Sequence, residues 1–299
     1  MPRTRATPAG TPDGRPGTHE AERLLPPPRD LSRLCIHTVT TRPWSLPEAA
    51  AAYERAGIPA ITVWREAVAG HGPAEAHRII ADHGLTIVSY VRGGFFAAPT
   101  AAARRAAVDE NLRIIDEAAA LGAPLVVLVC GAVPGQLLET SRAQIRDGLE
   151  RILPHAEAAG VRLGIEALHP VYADSRSAIN TLRQANDLAD DLDSPALGVV
   201  VDVYHLWWDP DLRDEIERSG RNGRLFAFHI CDWKTPTEHL LLDRGLMGEG
   251  CIPLRRIRTW VEAAGFDGYR EVEIFSESYW REDQHDFLEK IKHAYLTHA

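Results

Sequence analysis

Short apolar, β-branched runs alternate with longer amphipathic ones along almost the whole chain. The apolar runs cover 34–37, 60–64, 85–90, 125–129, 162–166, 197–202, 225–229 and 271–275. Runs this short, rich in Val, Ile and Leu, fit strands buried on both faces. Between them lie Ala-rich stretches with apolar residues at helical spacing. One opens at Ser45, a fitting N-cap with Glu48 three residues on, as in a capping box. Others cover about 73–82, 100–121, 141–159, 177–188, 210–219, 254–264 and 284–295. Gly57, Gly84, Gly122, Gly160 and Gly265 follow helices, where a left-handed stop suits glycine.

Eight strand–helix repeats over about 270 residues predict an α/β fold, the (β/α)8 TIM barrel. A doubly wound open sheet is the rival architecture. It is disfavoured because no GxGxxG follows the first strand. The barrel is expected over 31–299 as a single domain. Residues 1–30 differ: they hold seven of the chain's 20 prolines, with scattered Arg, Gly and Thr. No apolar segment follows the basic start, so this is not a secretory signal. A flexible proline-rich tail that docks near its C-terminal end is expected, because it has too little apolar surface to offset its ordering entropy.

Charge and cysteine content narrow the partners. Asp plus Glu exceed Lys plus Arg by 42 to 33, a net charge of −9. A phosphate backbone is repelled on average, so nucleic acid is not an expected partner. No apolar run approaches the roughly 18 residues that span a bilayer, so no membrane partner is expected either. Cys35, Cys130, Cys231 and Cys251 are far apart and form no CxxC pair. They read as reduced thiols in a cytoplasmic protein.

Polar residues are few in the strands and gather at the C-terminal ends, the face on which barrel active sites lie. Glu166 ends the fifth strand, Asp202 the sixth and His229 the seventh, while Glu273 lies in the eighth. Each singly has an ordinary reading: an ion pair, a turn cap, a satisfied core histidine. Together, three carboxylates and an imidazole on four neighbouring strands can surround one divalent ion. Burying such charges unpaired would be costly. Strand alternation puts Glu271 on the same face as Glu273 and does not choose between them. The donor set is hard to borderline. It favours Mn²⁺ or Mg²⁺, with Co²⁺ or Zn²⁺ also accommodated, and it lacks the thiolates of a structural zinc site. Other residues at strand ends suit a polyol. His37 ends strand one, Trp64 and Glu66 stand at the end of strand two, and His169 and His205 each follow a carboxylate by three residues. Histidines there bind hydroxyls, and a tryptophan offers a sugar ring an apolar face. Trp207 and Trp208 read equally well as packing between helix and barrel. Arg244 could hold an anion, but no glycine-rich phosphate loop is evident near strands seven and eight, so a free substrate is expected.

The chain resembles the xylose-isomerase-like barrel family, which includes sugar isomerases, ketose 3-epimerases and inosose isomerases. The resemblance is carried by Gly164-Ile165-Glu166-Ala167-Leu168-His169-Pro170, by Val201-Asp202-Val203-Tyr204-His205-Leu206-Trp207-Trp208 and by His229-Ile230-Cys231-Asp232-Trp233. Asp243-Arg244-Gly245 through Gly250, and Gly265 through Ser276, complete it. The resemblance implies metal ligands Glu166, Asp202, His229 and Glu273, with Glu273 rather than Glu271 from the eighth strand. It implies that Glu166 and Glu273 form the proton-transfer pair and that His169 and His205 touch substrate hydroxyls. The implied function is a metal-dependent isomerase or epimerase of a free keto-sugar or keto-cyclitol, acting through a stabilised enediolate. A lyase or dehydratase is the alternative, on a 3-keto-glycoside, a C-glycoside or a dehydroshikimate-type substrate. A C-glycoside lyase would call for a small accessory subunit. A nuclease of the same family would need further histidines where this chain has Trp64 and Tyr90. Relatives are often oligomeric, so a homo-oligomer is expected.

Overall fold

The computed structural model describes residues 23–299. Eight parallel strands close into a barrel in the order β1-β10-β7-β6-β5-β4-β3-β2. They are β1 (Leu34–His37), β2 (Ala60–Trp64), β3 (Thr86–Gly94), β4 (Leu125–Val129), β5 (Arg162–Glu166), β6 (Leu197–Asp202), β7 (Leu225–Ile230) and β10 (Arg270–Val272). Two two-residue strands, β8 (Asp232–Trp233) and β9 (Arg244–Gly245), form a separate antiparallel ribbon above β7. The fold is a (β/α)8 TIM barrel.

The outer ring comprises α1 (Leu46–Arg55), α3 (Pro73–Asp82), α4 (Ala101–Leu121), α5 (Leu138–Ala159), α6 (Leu182–Leu192), α8 (Leu212–Arg221), α9 (Leu254–Ala263) and α10 (Gln284–His298). Single-turn helices α2 (Arg65–Val68) and α7 (Val203–Leu206) directly follow β2 and β6. The Glu48 carboxylate accepts from the Ser45 backbone N–H at 2.8 Å, closing the start of α1. Gly122 and Gly160 end α4 and α5 with φ of 78° and 68°, the left-handed conformation that spares a side chain's clash.

Three elements depart from the pattern-based expectation. The helix expected from 177 begins at Leu182, capped by the Thr181 hydroxyl accepting from Gln184 N–H. Residues 177–180 instead form a loop in which the Asn180 amide donates to the Leu168 and Ser177 carbonyls, both at 3.0 Å. β3 runs four residues past Tyr90. Gly94, with φ of 108°, lies so close to β4 that a Cβ would meet the Val129 carbonyl oxygen at 2.0 Å. The last strand is short. Its ladder to β1 stops at Val272, where the Thr40 hydroxyl donates to the Val272 carbonyl and accepts from Ile274 N–H, each at 3.0 Å.

One apolar layer fills the space between strands and helices, and a smaller cluster of Trp64, Val91, Leu125, Val127, Val200 and Ala227 fills the barrel. At about 25 cal/mol per Å² of apolar surface buried, these layers supply the main driving force for closure. Much of the expected tail, residues 1–22, lies outside the described residues. Leu25 and Pro26 are held on α9: Leu25 N–H donates to the Thr259 hydroxyl, Arg255 donates to the Leu25 carbonyl, and Arg258 donates to the Pro26 carbonyl. Cys35, Cys130 and Cys231 are buried free thiols, whereas Cys251 is exposed on the turn before α9. Among the described residues, no helix is long and apolar enough to cross a membrane.

Candidate metal centre and active-site cleft

Parallel strands carry their last inward side chains to one rim. Glu166 and Asp202 are the final residues of β5 and β6, and His229 pairs with Asp202 across β6 and β7. Glu273 follows β10 directly, and its N–H still donates to the Ile230 carbonyl at 3.2 Å. All four are buried, and one donor atom from each lies within 4.8 Å of the others.

Glu271, two residues earlier, also points into the barrel but one layer deeper. It pairs in register with Cys35 and His229. Its Oε2 accepts from the Thr62 hydroxyl at 2.5 Å and the Ser89 hydroxyl at 3.1 Å. His37 Nε2 lies 3.3 Å and His229 Nε2 3.8 Å from the same oxygen. Glu271 is thus the floor on which both imidazoles rest. The His229 ring turns Nδ1 to Glu166 Oε1, at 3.1 Å. A carboxylate behind a metal-binding imidazole fixes its orientation and raises its basicity.

Arg244, arriving on the ribbon, supplies the buried counter-charge. Its Nη1 lies 2.6 Å from Glu273 Oε2 and 3.3 Å from Asp202 Oδ2. Its guanidinium stacks 4.3 Å above the Tyr204 ring centre. The closer carboxylate takes most of the benefit. Burial opposes the charge on Glu273, but Arg244 and His37 outweigh it and hold its carboxyl well below the ordinary range. In Asp202, burial dominates over Arg244, with Glu273 and Glu166 adding repulsion, and its carboxyl is pushed up to about 7. Burial works against a charged His229, yet the Glu166 hydrogen bond and the fields of Glu271 and Glu273 carry it up to about 10. His205 is driven the other way, well below its usual value, by burial and by Arg244.

The donor chemistry fits a divalent cation. Three buried carboxylates and one imidazole converge, and burial that raises Asp202 together with the carboxylates that raise His229 marks a place where added positive charge is favoured. A pH signature follows. Binding must displace the His229 proton below about pH 10 and the Asp202 proton below about pH 7. Apparent affinity for Mn²⁺ should therefore rise about tenfold per pH unit from 7 to 9 and more steeply from 5 to 7. Calorimetric titration across that range checks it; a flat profile would show that neither group is a ligand.

A cleft opens above these residues. Glu166, Glu273, His205, Arg244 and Trp64 border it, together with Tyr172, Arg92 and Arg176. Leu241 closes one side on the loop between β8 and β9. That loop is pinned down: the Tyr172 and Tyr204 hydroxyls donate to the Leu240 carbonyl at 2.6 and 2.8 Å, and Lys234 pairs with Asp243.

Of the residues expected to touch substrate, Trp64, His205 and Arg244 border the cleft. His37 lies beneath it, fully buried, with Nδ1 3.2 Å from Glu273 Oε1 and accepting from the Trp64 indole N–H. The His169 ring packs 5.1 Å from Trp233 and 5.7 Å from Trp208, and its backbone N–H donates to His205 Nδ1. Glu66 is exposed in α2 and borders an adjoining depression instead. The pattern along the chain did not single out Glu271 as a support, nor Arg92, Arg176 and Tyr172. Arg92 had a signal: a charge at the end of an apolar strand, the same cue that marks Glu166.

The model of the xylose isomerase-like TIM barrel family matches residues 49–293. The chain belongs to that family. Among solved structures of similar fold, the protein SMc04130 from Sinorhizobium meliloti 1021 is 44% identical to this family member. It superposes with a TM-score of 0.87 over 90% of this chain and 100% of its own. The IolI protein with a bound zinc atom shares the fold at 21% identity, with a TM-score of 0.77 over 88% of this chain and 96% of its own. A curated relative, the 3-dehydroshikimate dehydratase of Pseudomonas aeruginosa, is 28% identical over 250 residues, 79% of this chain. The family member spans only 37% of that relative's length.

Proposed function

We propose that this protein is a divalent-metal-dependent enzyme that moves a proton at the carbon next to the carbonyl of a keto-sugar or keto-cyclitol, as an isomerase or epimerase. The observation that carries this reading is one buried cluster holding Glu166, Asp202, His229 and Glu273, with two of its carboxylates bordering a cleft. Those four side chains would hold the ion, Mn²⁺ by preference of the donor set. A bound divalent ion supplies Lewis acidity at a carbonyl oxygen.

The remaining chemistry belongs to the chain. One carboxylate, Glu166 or Glu273, takes the proton from the carbon next to the carbonyl. The C–H electron pair becomes the C=C of an enediolate, and negative charge collects on the oxygen. Delivery of a proton to the opposite face by the other carboxyl group, which enters the step protonated, epimerises; return of the proton at the neighbouring carbon, with the hydroxyl proton passing to the former carbonyl oxygen, isomerises. Arg244 keeps Glu273 ionised and so able to accept a proton. His205, a neutral imidazole, borders the cleft with Nδ1 accepting from His169 N–H and Nε2 3.3 Å from Arg244 Nη2, and so positions Arg244 beside Glu273. The pinned loop carrying Leu241 excludes water from the reacting carbon.

The dehydratase name of the curated relative favours a second reading. Proton removal is the same, but the electron pair then expels the β-hydroxyl, which takes a proton from the second carboxyl group and leaves as water. NMR in D₂O separates the two. Metal-loaded protein is mixed with ketoses, inososes, 3-keto-glycosides and 3-dehydroshikimate. Deuterium next to the carbonyl with an isomer or epimer supports the first reading. Loss of water or an aglycone moves the assignment to the second. A chain that binds no divalent ion overturns both.

A further inference from the structure

We infer that the substrate carries an oxyanion, a carboxylate or a phosphate, held by Arg92 and Arg176 in the cleft that Glu166 and Glu273 also border. The inference rests on the proposed function, whose site it shares. Three cationic side chains border this cleft, and one is already neutralised. Arg244 is paired with Asp202 and Glu273. Arg92 and Arg176 border the same cleft, and among the described residues neither has a hydrogen bond or an ion pair to an acid. Each only faces rings. Arg92 lies 5.7 Å from the Trp64 ring centre and 5.1 Å from that of Phe95, and Arg176 lies 5.8 Å from that of Tyr172. Glu66 borders a depression beside Arg92 without forming an ion pair with it.

Two unpaired guanidinium groups facing one partly enclosed space are costly. Burial and the neighbouring Arg92 disfavour the charge on Arg176 by more than the field of Glu166 offsets. An oxyanion relieves that cost, and planar guanidinium groups suit carboxylate and phosphate geometry. Glu166 and Glu273 border the cleft together with the two free arginines, so an anionic group and a reacting carbonyl would each have partners of their own in one cleft. A neutral sugar would leave both arginines uncompensated.

The test is binding, not turnover. Isothermal titration with the Mn²⁺-loaded full chain compares quinate, a polyhydroxy-cyclohexane carboxylate, with methyl quinate, the same skeleton without charge, and with myo-inositol 1-phosphate. Quinate or the phosphate should bind at least tenfold more tightly than methyl quinate, and whichever binds better names the oxyanion. Arg92→Gln and Arg176→Gln should each erase most of that gap while melting no lower than the wild type, because neither side chain has a hydrogen bond or ion pair to lose. A preference for the acid that persists in both variants would mean direct metal chelation and would overturn the inference. Equal binding of acid and ester, or no binding of any anionic probe, would also overturn it. Mn²⁺ uptake, measured in the same titrations, tells that failure apart from failure of the metal site itself.

Discussion

Glu166→Gln and Glu273→Gln are each expected to lower kcat by about 10³-fold or more. General base catalysis alone contributes about 10²–10⁴-fold, and each glutamate is also a metal-ligand candidate. Gln keeps the shape and an oxygen donor but cannot accept the proton. The two roles are separable. A loss that comes only from weakened ion binding is repaired by excess Mn²⁺, whereas a loss of the proton acceptor is not. The measurement is kcat against Mn²⁺ concentration with the substrate found by the exchange assay, alongside bound metal per chain. Both variants should reach full metal occupancy at high Mn²⁺ and stay inactive. Near-normal turnover in either one, once saturated, would sink the proton-transfer assignment. Glu271→Gln makes a useful contrast. Glu271 touches the two imidazoles and no part of the cleft, so its loss should weaken metal binding more than it slows the saturated enzyme.

The sequence made the barrel legible because its signals are local. Runs such as 125–129 and 197–202 are continuous and β-branched, and they match β4 and β6 residue for residue. The ribbon β8–β9 and the single-turn helices α2 and α7 are too short to show any period. The four clustered residues were readable because a charge at the end of an apolar run is costly without a purpose. Choosing Glu273 over Glu271 was beyond spacing. Both point into the barrel, and what separates them is depth. Depth depends on register, which pairs Glu271 with Cys35 and His229 and leaves Glu273 one layer above. Arg176 and Tyr172 come from the irregular segment after β5, where no periodicity reports position. His37 shows a depth that spacing does not report. Its place at a strand end suggests substrate contact, whereas the structure places it fully buried under Trp64, beside Glu271 and Glu273.

Arg244→Met should destabilise the metal-free protein by about 3–5 kcal/mol, the usual cost of leaving a buried ion pair without one partner. Arg244 is 2% exposed and is the cation shared by Glu273 and Asp202, so Met fills much of the volume and removes the charge. The pH dependence carries the argument. In the wild type, Arg244 helps lower the Glu273 carboxyl below its unfolded value of 4.5, so the stability it confers is full above that pH. It fades as pH falls through the lowered folded value. In the variant, Asp202 and Glu273 both lose that cation, so both carboxyl values move up, Glu273 keeping only His37 and His229 against its burial, and each upward move costs stability as pH rises through the folded value. The gap between wild type and variant should therefore be small in acid and widen from pH 5 to 8. Urea unfolding in EDTA at several pH values reads it directly. Saturating Mn²⁺ should then close much of the gap, because the ion returns positive charge to the same carboxylates, and binding only to the folded state adds stability. A gap of constant size at every pH, with or without the ion, would assign Arg244 to packing against Tyr204 and Phe275 and remove it from the electrostatics of the site.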